Sequence, residues 1–161
     1  MLIRQTQVSD FPRILDINAT EEEKTSRIDL ARITQLDSWS DYHRVAVVED
    51  EVIGFLLVMS EASDYDGENF RWFAERHRRF LYVDRIVIDR AVARCGVGSA
   101  LYGDLIQFAA THGWSKLCCE INVSPPNLVS HTFHAGFGFE EEGRSGEAGA
   151  SKVVSYQVAE L

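Results

Sequence analysis

One segment near the middle of the chain restricts its fold more than any other. Residues 80–88 (FLYVDRIVI) are rich in aromatic and β-branched side chains, which predicts a buried strand. Cys95-Gly96-Val97-Gly98 follows, and a helical pattern then extends to about His112, where Gly113 is placed to end it. The order of strand, glycine loop and helix suits an anion, because glycine lets a ligand approach the backbone and the first helical turn has free amides.

The rest of the chain alternates between strand-like and helix-like periods, which predicts an α/β fold with a mixed sheet and helices on its faces. Further strands are predicted at 1–6, 44–48, 52–60 and 116–123, with two more around a glycine-rich turn within 139–160. The turn Glu49-Asp50-Glu51 joins two of them as an antiparallel hairpin. Further helices are predicted after an N-cap at Ser9, over 21–36, over 127–135, and as a short lid near 69–76.

Length and charge narrow the class of protein. The 161 residues correspond to one domain of ordinary size, so we expect a single domain over 1–161. Sixteen basic and twenty-five acidic residues give a net charge of −9, which repels polyphosphate and predicts no nucleic-acid partner. The longest apolar run, Val52 to Met59, is too short to span a membrane, and no secretory signal is visible at the N-terminus. We therefore expect a cytoplasmic protein without a membrane partner, whose oligomeric state stays open, with a homodimer as one option.

The three cysteines do not indicate a disulfide framework or a metal site. Their number is odd, Cys118 and Cys119 are adjacent, and no C-x-x-C spacing is present. We interpret them as reduced thiols that serve as small apolar side chains. The glycine loop also lacks the P-loop pattern, and it has only two of the three glycines of a dinucleotide-binding fingerprint.

Two segments together resemble the central motifs of the GNAT superfamily of acyl-CoA-dependent N-acyltransferases. The first is LYVDRIVIDRAVARCGVGSALYGDL and the second is CEINVSPPNLVSHTFHAGFGFEEEG. The resemblance is strongest over residues 80–143. It implies a GNAT-like fold with a central mixed sheet splayed between strands 4 and 5 and about four flanking helices. It also implies acetyl-CoA as cosubstrate, without a metal.

In this family the strand before the glycine loop lies against the pantetheine arm of the cofactor, and the loop amides hold its pyrophosphate. The residues that the resemblance assigns to the cofactor are Ile86, Val87, Ile88, Arg94, Cys95, Gly96, Val97, Gly98, Ser99, Asn127, Ser130 and Phe133. The family loop usually begins with Gln or Arg, and here Ala93 stands at that position. Arg94 either reaches a phosphate or is an ordinary solvated arginine. Asn127 also suits a helix N-cap by position alone.

Transfer of an acyl group from a thioester to an amine requires a base, because a free alkylammonium titrates near 10.4 like lysine. Asp84 is the first candidate for the base, and an ion pair with Arg85 or Arg71 is the alternative role for this carboxylate. Strand alternation predicts that Asp84 shares a face with Tyr82, Ile86 and Ile88. Glu120, on the neighbouring splayed strand, is the second candidate.

The oxyanion and the departing thiolate also need hydrogen-bond or proton donors. The resemblance assigns the oxyanion to a backbone amide near Ile86 and places His134 where the family usually has a tyrosine acid. Histidine titrates near 6.5 and is able to protonate a thiolate, although packing at a helix end would also explain it. His131 lies one turn earlier, but no further ligands at useful spacing complete a metal site.

The sequence thus predicts an N-acetyltransferase that acts on a primary amine of a small molecule or a peptide by direct attack in a ternary complex. A catalytically weak or inactive acyl-CoA-binding sensor is the alternative. The predicted lid carries Asp64, Asp66 and Glu68 among aromatic side chains, which would suit a cationic acceptor. A solvated acidic loop whose aromatic side chains pack on the sheet is the simpler explanation of the same residues.

Overall fold

The computed structural model describes residues 1–22, 24–146 and 149–161. In these residues the chain forms seven β-strands and five α-helices, which confirms the predicted mixed α/β fold. Part of the predicted glycine-rich turn, Glu147 and Ala148, lies outside the described residues. None of the described helices is long and apolar enough to cross a membrane.

One sheet contains all seven described strands, in the order β1-β2-β3-β4-β5-β7-β6. Neighbouring strands are antiparallel except β4 and β5, which are parallel. The strands are β1 (Leu2–Gln5), β2 (Tyr42–Val48), β3 (Glu51–Ser60), β4 (Leu81–Ile88), β5 (Lys116–Ser124), β6 (Glu140–Arg144) and β7 (Val153–Glu160).

Helices cover both faces of the sheet and bury a separate apolar core on each side. They are α1 (Phe11–Ala19), α2 (Leu30–Trp39), α3 (Glu68–Ala74), α4 (Val97–His112) and α5 (Leu128–Ala135). The core under α1, α2 and α3 includes Ile14, Ile33 and Phe73. The core under α4 includes Leu101 and Leu105, as the apolar face of that helix predicts.

The parallel pair β4 and β5 separates soon after it forms. Their paired residues are Leu81 with Leu117 and Tyr82 with Cys118, near the start of both strands. Beyond these pairs β4 remains on β3 and β5 remains on β7. This opening confirms the predicted splay between strands 4 and 5 and produces a cleft in the middle of the sheet.

Several predicted elements differ from those observed. Residues 21–22 and 24–25 form turns and a bend, residues 26–29 have no regular secondary structure, and α2 starts only after Asp29. The carboxylate of Asp29 accepts a hydrogen bond from Arg32 N at 2.8 Å. Residues 21–36 as a whole have a helix-forming composition, so composition alone did not locate the start of the helix at this cap. Val8–Asp10 forms a short 3₁₀ turn capped by Gln7, so Ser9 is not the N-cap of α1.

The hairpin turn and the lid helix also differ slightly from the predicted ones. Glu49 and Asp50 both have positive φ (49° and 65°) and form a two-residue turn, with Glu51 already in β3. Positive φ at both central residues matches the twist of a hairpin, which explains the shorter turn. The predicted lid helix exists as α3 but ends at Ala74 rather than at residue 76.

Candidate active site

The cleft between β4 and β5 has a volume of about 820 Å³. It extends from the glycine loop before α4, along the separated edges of the two strands, to the lid segment that contains α3. All of the predicted cofactor-binding residues line it except Cys95, which is exposed and lies outside the lining. Cys118 and Cys119 are buried as predicted, so Cys95 is the exception to the expected use of cysteine as a buried apolar side chain.

One end of the cleft is built from the backbone of the glycine loop. Arg94 and Gly96 both have left-handed φ values, 66° and 80°. Gly96 is the N-cap of α4, and its carbonyl accepts the first bond of the helix, from Ala100 N at 3.0 Å. The amides of the first helical turn therefore have no acceptor within the helix. They are available to bind an anion, and the helix dipole assists this binding.

Close packing explains the second glycine of the loop. A Cβ atom on Gly98 would lie 3.3 Å from two ring atoms of Phe133 and 3.8 Å from Ile86 Cδ1. Phe133 comes from α5 and packs edge-on against Tyr102. Gly98 thus lets α4 and α5 approach each other at the mouth of the cleft.

The start of α5 forms the adjacent wall. Asn127 is the N-cap of this helix, and its side chain accepts a hydrogen bond from Ser130 N at 3.2 Å. The capping role considered for Asn127 is therefore present, and the residue also lines the cleft. Leu128 and Val129, in the first turn of α5, are both exposed.

A β-bulge in β4 changes which residues share a face. Leu57 of β3 pairs with Arg85, whereas the next residue, Val58, pairs with Val83, so Asp84 is the extra residue. Tyr82 consequently belongs to the core under α1–α3, whereas Ile86 and Ile88 pack against the core under α4. The predicted common face of Tyr82, Asp84, Ile86 and Ile88 is therefore wrong.

The carboxylate of Asp84 is engaged by two partners. Arg85 Nε donates to it at 2.7 Å, and both side chains are almost fully buried. The hydroxyl of Tyr65 donates to its other oxygen. The Arg85 guanidinium also binds Asn18 of α1 and Ser26 of the segment that follows this helix. The ion pair considered for Asp84 is thus present, and it anchors the α1–α2 connection to the cleft.

Glu120 has a different environment from Asp84. It projects from β5 into the cleft, where it accepts a hydrogen bond from the Tyr82 hydroxyl at 2.5 Å. Burial raises the pKa of Glu120 to about 7, against the opposing effect of the Tyr82 hydrogen bond. A carboxylate that titrates near neutrality and faces a cleft is able to exchange a proton with a ligand.

The ring of His134 is buried and bonded at both nitrogens. Nδ1 lies 2.8 Å from Ser130 O, and Nε2 lies 2.7 Å from the Tyr102 hydroxyl. A carbonyl only accepts, so Nδ1 carries the proton and Nε2 accepts from Tyr102. Burial lowers the pKa of His134 to about 4, which keeps the ring neutral at pH 7. Nε2 of His131 lies 3.2 Å from Asn122 O.

Several residues of the acceptor side were missed by the sequence reasoning. Of the three acidic residues predicted in the lid, Asp66 forms an ion pair with Arg32. Glu68 lines the cleft, and Asp64 is not among the lining residues. Residues that line this part of the cleft without having been predicted as site residues include Lys24, Tyr65, Asn69, Tyr82, Arg85, Asn122 and Lys152. Nothing in their local sequence marks them, because they meet only through the tertiary fold.

In the described part of the chain, no group of three or more His, Cys, Asp or Glu side chains is arranged to hold a metal ion.

Comparison with known proteins supports the family that the motifs suggest. The sequence model of the Acetyltransferase (GNAT) family matches residues 5–139. A search of curated proteins finds no significant match.

Solved structures resemble the whole chain. Ribosomal-protein-alanine N-acetyltransferase from Brucella melitensis has a TM-score of 0.73 at 22% identity, with 100% of both chains covered. Ard1 from Thermoplasma volcanium has a TM-score of 0.78 at 18% identity over 99% of this chain and 97% of that one. The structure of yncA from Salmonella typhimurium, which holds its cofactor acetyl-CoA, has a TM-score of 0.73 at 19% identity. The match covers 100% of this chain and 94% of that one. At these identities the likeness is one of fold.

Proposed function

The chain belongs to the acetyltransferase (GNAT) family, and from this premise we propose that it transfers an acetyl group from acetyl-CoA to a primary amine by direct attack in a ternary complex. The observation that carries the proposal is Glu120. It faces the cleft at the splay of β4 and β5, and its pKa of about 7 suits a base that works near neutral pH.

The cleft has the features needed to hold acetyl-CoA. At one end the free amides of Val97, Gly98 and Ser99 suit the pyrophosphate, and the exposed Arg94 guanidinium lies at the same end of the cleft. The edge of β4 that has parted from β5, including Ile86 and the residues after it, is free to lie along the pantetheine arm. Support also comes from yncA, which has a similar fold and binds acetyl-CoA.

Acetyl-CoA supplies an activated acetyl group whose carbon–sulfur bond breaks as the carbon–nitrogen bond to the amine forms. Glu120 takes a proton from the ammonium form or from the attacking nitrogen, and its neutral form then releases that proton to solvent. The Tyr82 hydroxyl donates to Glu120 and so holds the carboxylate in place in the cleft. A backbone amide of β4 near Ile86 donates to the carbonyl oxygen as negative charge develops there.

Asp84 has a supporting role in this scheme. Its carboxylate is occupied by Arg85 and by the Tyr65 hydroxyl, so it is less available than Glu120 to receive a proton. We assign it to positioning Tyr65 and the α1–α2 connection beside the acceptor. The role predicted for His134, protonation of the thiolate, has weak support from a neutral ring with both nitrogens bonded. A thiolate with a pKa of about 8.5 can also leave as an anion and be protonated by solvent.

The experiment is an acetyl-CoA-dependent screen over polyamines, amino acids, aminoglycosides and peptides, read by free-thiol release and by mass of the product. Peptides with N-terminal alanine belong in the panel, because a protein of similar fold is a ribosomal-protein-alanine N-acetyltransferase. The proposal predicts amine-dependent thiol release that Glu120→Gln reduces. Binding of CoA without acetylation of any amine or extract component would contradict it and favour an acyl-CoA sensor.

A further inference from the structure

Asn69 connects the lid to the candidate base. It lies in the first turn of α3 and lines the cleft. Its Oδ1 accepts a hydrogen bond from the Tyr156 hydroxyl at 3.0 Å. With Oδ1 committed to this bond, the NH₂ end of the amide is left to donate to another partner. Glu120 lies directly opposite Tyr156 in the pairing of β5 with β7, so its carboxylate is a neighbour of the Asn69 amide that Tyr156 holds.

Stacking fixes the helix that carries Asn69. The Trp72 ring stacks on Tyr156 with centroids 4.2 Å apart and an interplanar angle of 17°. The Arg76 guanidinium lies 3.9 Å from the centroid of the same indole. Gly143 allows this approach, because a Cβ there would lie 2.7 Å from Trp72 Cζ2. Tyr156 thus contacts α3 twice, through its ring and through its hydroxyl.

We propose that Asn69 is a positioning residue for acetyl transfer, held by Tyr156 and donating to Glu120 so that the carboxylate faces the incoming amine. The proposal rests on the proposed function of Glu120 as the base. It gives the contacts of α3 with Tyr156 of β7 a catalytic purpose. Movement of α3 away from the sheet would take the Asn69 amide away from Glu120 and leave the carboxylate with the Tyr82 hydroxyl.

The electrostatic consequence has a definite sign. A donor to the charged form of a carboxylate lowers its pKa, so the Asn69 amide opposes the raising effect of burial on Glu120. Removal of the amide should therefore raise the pKa of Glu120 further. The titratable groups that face Glu120 from neighbouring elements are Tyr82 and Asp84 of β4, Tyr65 of the lid segment and Tyr156 of β7.

The test compares the pH dependence of kcat/KM for the wild type, Asn69→Ala and Asn69→Ser. Asn69→Ala should move the acid limb to higher pH by about one unit, the size expected for loss of a charged hydrogen bond. Asn69→Ser keeps a hydroxyl donor and should show a smaller shift. Tyr156→Phe should shift the limb in the same direction, because the amide loses its anchor. The matched control is Arg71→Gln on the exposed side of α3, which should leave the limb in place.

A lower rate with an unchanged acid limb in all three variants would overturn the proposal and make Asn69 a structural residue. If the wild type acetylates no amine, the proposed function fails while this inference is still tested by direct titration. The ¹³C carboxyl resonance of Glu120, assigned by its absence in Glu120→Gln, should titrate at higher pH in Asn69→Ala and in Tyr156→Phe. The same pKa in the wild type and in both variants would contradict the inference.

Discussion

Asp84 and Glu120 are two carboxylates in one cleft whose surroundings give them different chemistry. Asp84 forms an ion pair with a buried arginine and accepts a hydrogen bond from a tyrosine hydroxyl. Glu120 accepts a hydrogen bond from the Tyr82 hydroxyl but has no ion-pair partner within salt-bridge distance among the residues that the structure describes. An unpaired buried carboxylate gains affinity for a proton, which is what a base acting near pH 7 requires. The sequence placed both residues on the splayed strands and put Asp84 first. The environments in the fold make Glu120 the better candidate, because the bulge at Asp84 and the burial of its ion pair with Arg85 depend on tertiary structure.

His134 provides a prediction at the same scale. Because its ring is neutral and bonded to Ser130 and Tyr102, we expect His134→Ala to lower kcat by less than about tenfold, below the 10²–10⁴ typical of a general acid. The measurement is kcat at saturating substrates across pH 6–9, with the exposed neighbour Thr132→Ala as control. A loss of 100-fold or more that His134→Tyr restores would instead make His134 the proton donor.

At the scale of elements, the unit of strand, glycine loop and helix could be predicted from local sequence. The aromatic and β-branched residues of 80–88, the glycines before α4 and the helix end at Gly113 each act through neighbours in the chain, so pattern and position are enough. The prediction errors at Asp29 and at Asp84 have two different causes. The cap at Asp29 is a local bond to Arg32 N, which the helix-forming composition of 21–36 obscured, whereas the bulge at Asp84 depends on the pairing of β4 with β3.

Gly98 provides a prediction for the loop and the two helices that meet there. Gly98→Val would push against Phe133 and disturb the mouth of the cleft, so stabilisation by CoA should be lost. At 100 times its Kd, CoA should raise the Tm of the wild type by roughly 5–10 °C. Gly103→Ala is the matched control, since a Cβ at that position of α4 has no heavy atom within 4 Å among the described residues. An equal CoA-dependent shift in Gly98→Val and the wild type would contradict this role.

For the whole molecule, the acceptor half of the cleft was the part least accessible to sequence reasoning. It joins the α1–α2 connection, the lid, β5 and residues near β7, which are up to about 130 residues apart in the chain. A sequence pattern reports neighbours within a helix or strand, whereas this wall depends on how the elements pack. The cofactor half, by contrast, is built mainly by the two motifs that the sequence displays contiguously.

The stability of the whole chain should also depend on Glu120. Its pKa is raised from 4.5 to about 7, so the folded state keeps a proton that the unfolded chain releases. The contribution of Glu120 to stability is then fully present below pH 4.5 and lost as pH rises through about 7. At pH 8 the cost of the charged carboxylate is on the order of 3 kcal/mol.

Glu120→Gln removes this dependence. The Tm difference between Glu120→Gln and the wild type should therefore shift in favour of the variant between pH 5 and pH 8, by several degrees. Other titrating groups are common to both chains and cancel in the difference. Thermal unfolding at both pH values measures it, and a difference that does not change with pH would show that Glu120 titrates normally.

The most direct test of the account is the pH dependence of kcat/KM for the wild type, Glu120→Gln and Asp84→Asn with one accepted amine. The ionisation of the amine is common to all three chains, so it cancels in the comparison. We predict that the wild type has an inflection near pH 7. Asp84→Asn should keep an inflection but move it to lower pH, because the charge of Asp84 contributes to the raised pKa of Glu120. Glu120→Gln should lose that inflection together with a factor of at least about 10² in rate. A Glu120→Gln variant that keeps both the rate and the inflection would contradict the central claim that Glu120 is the base.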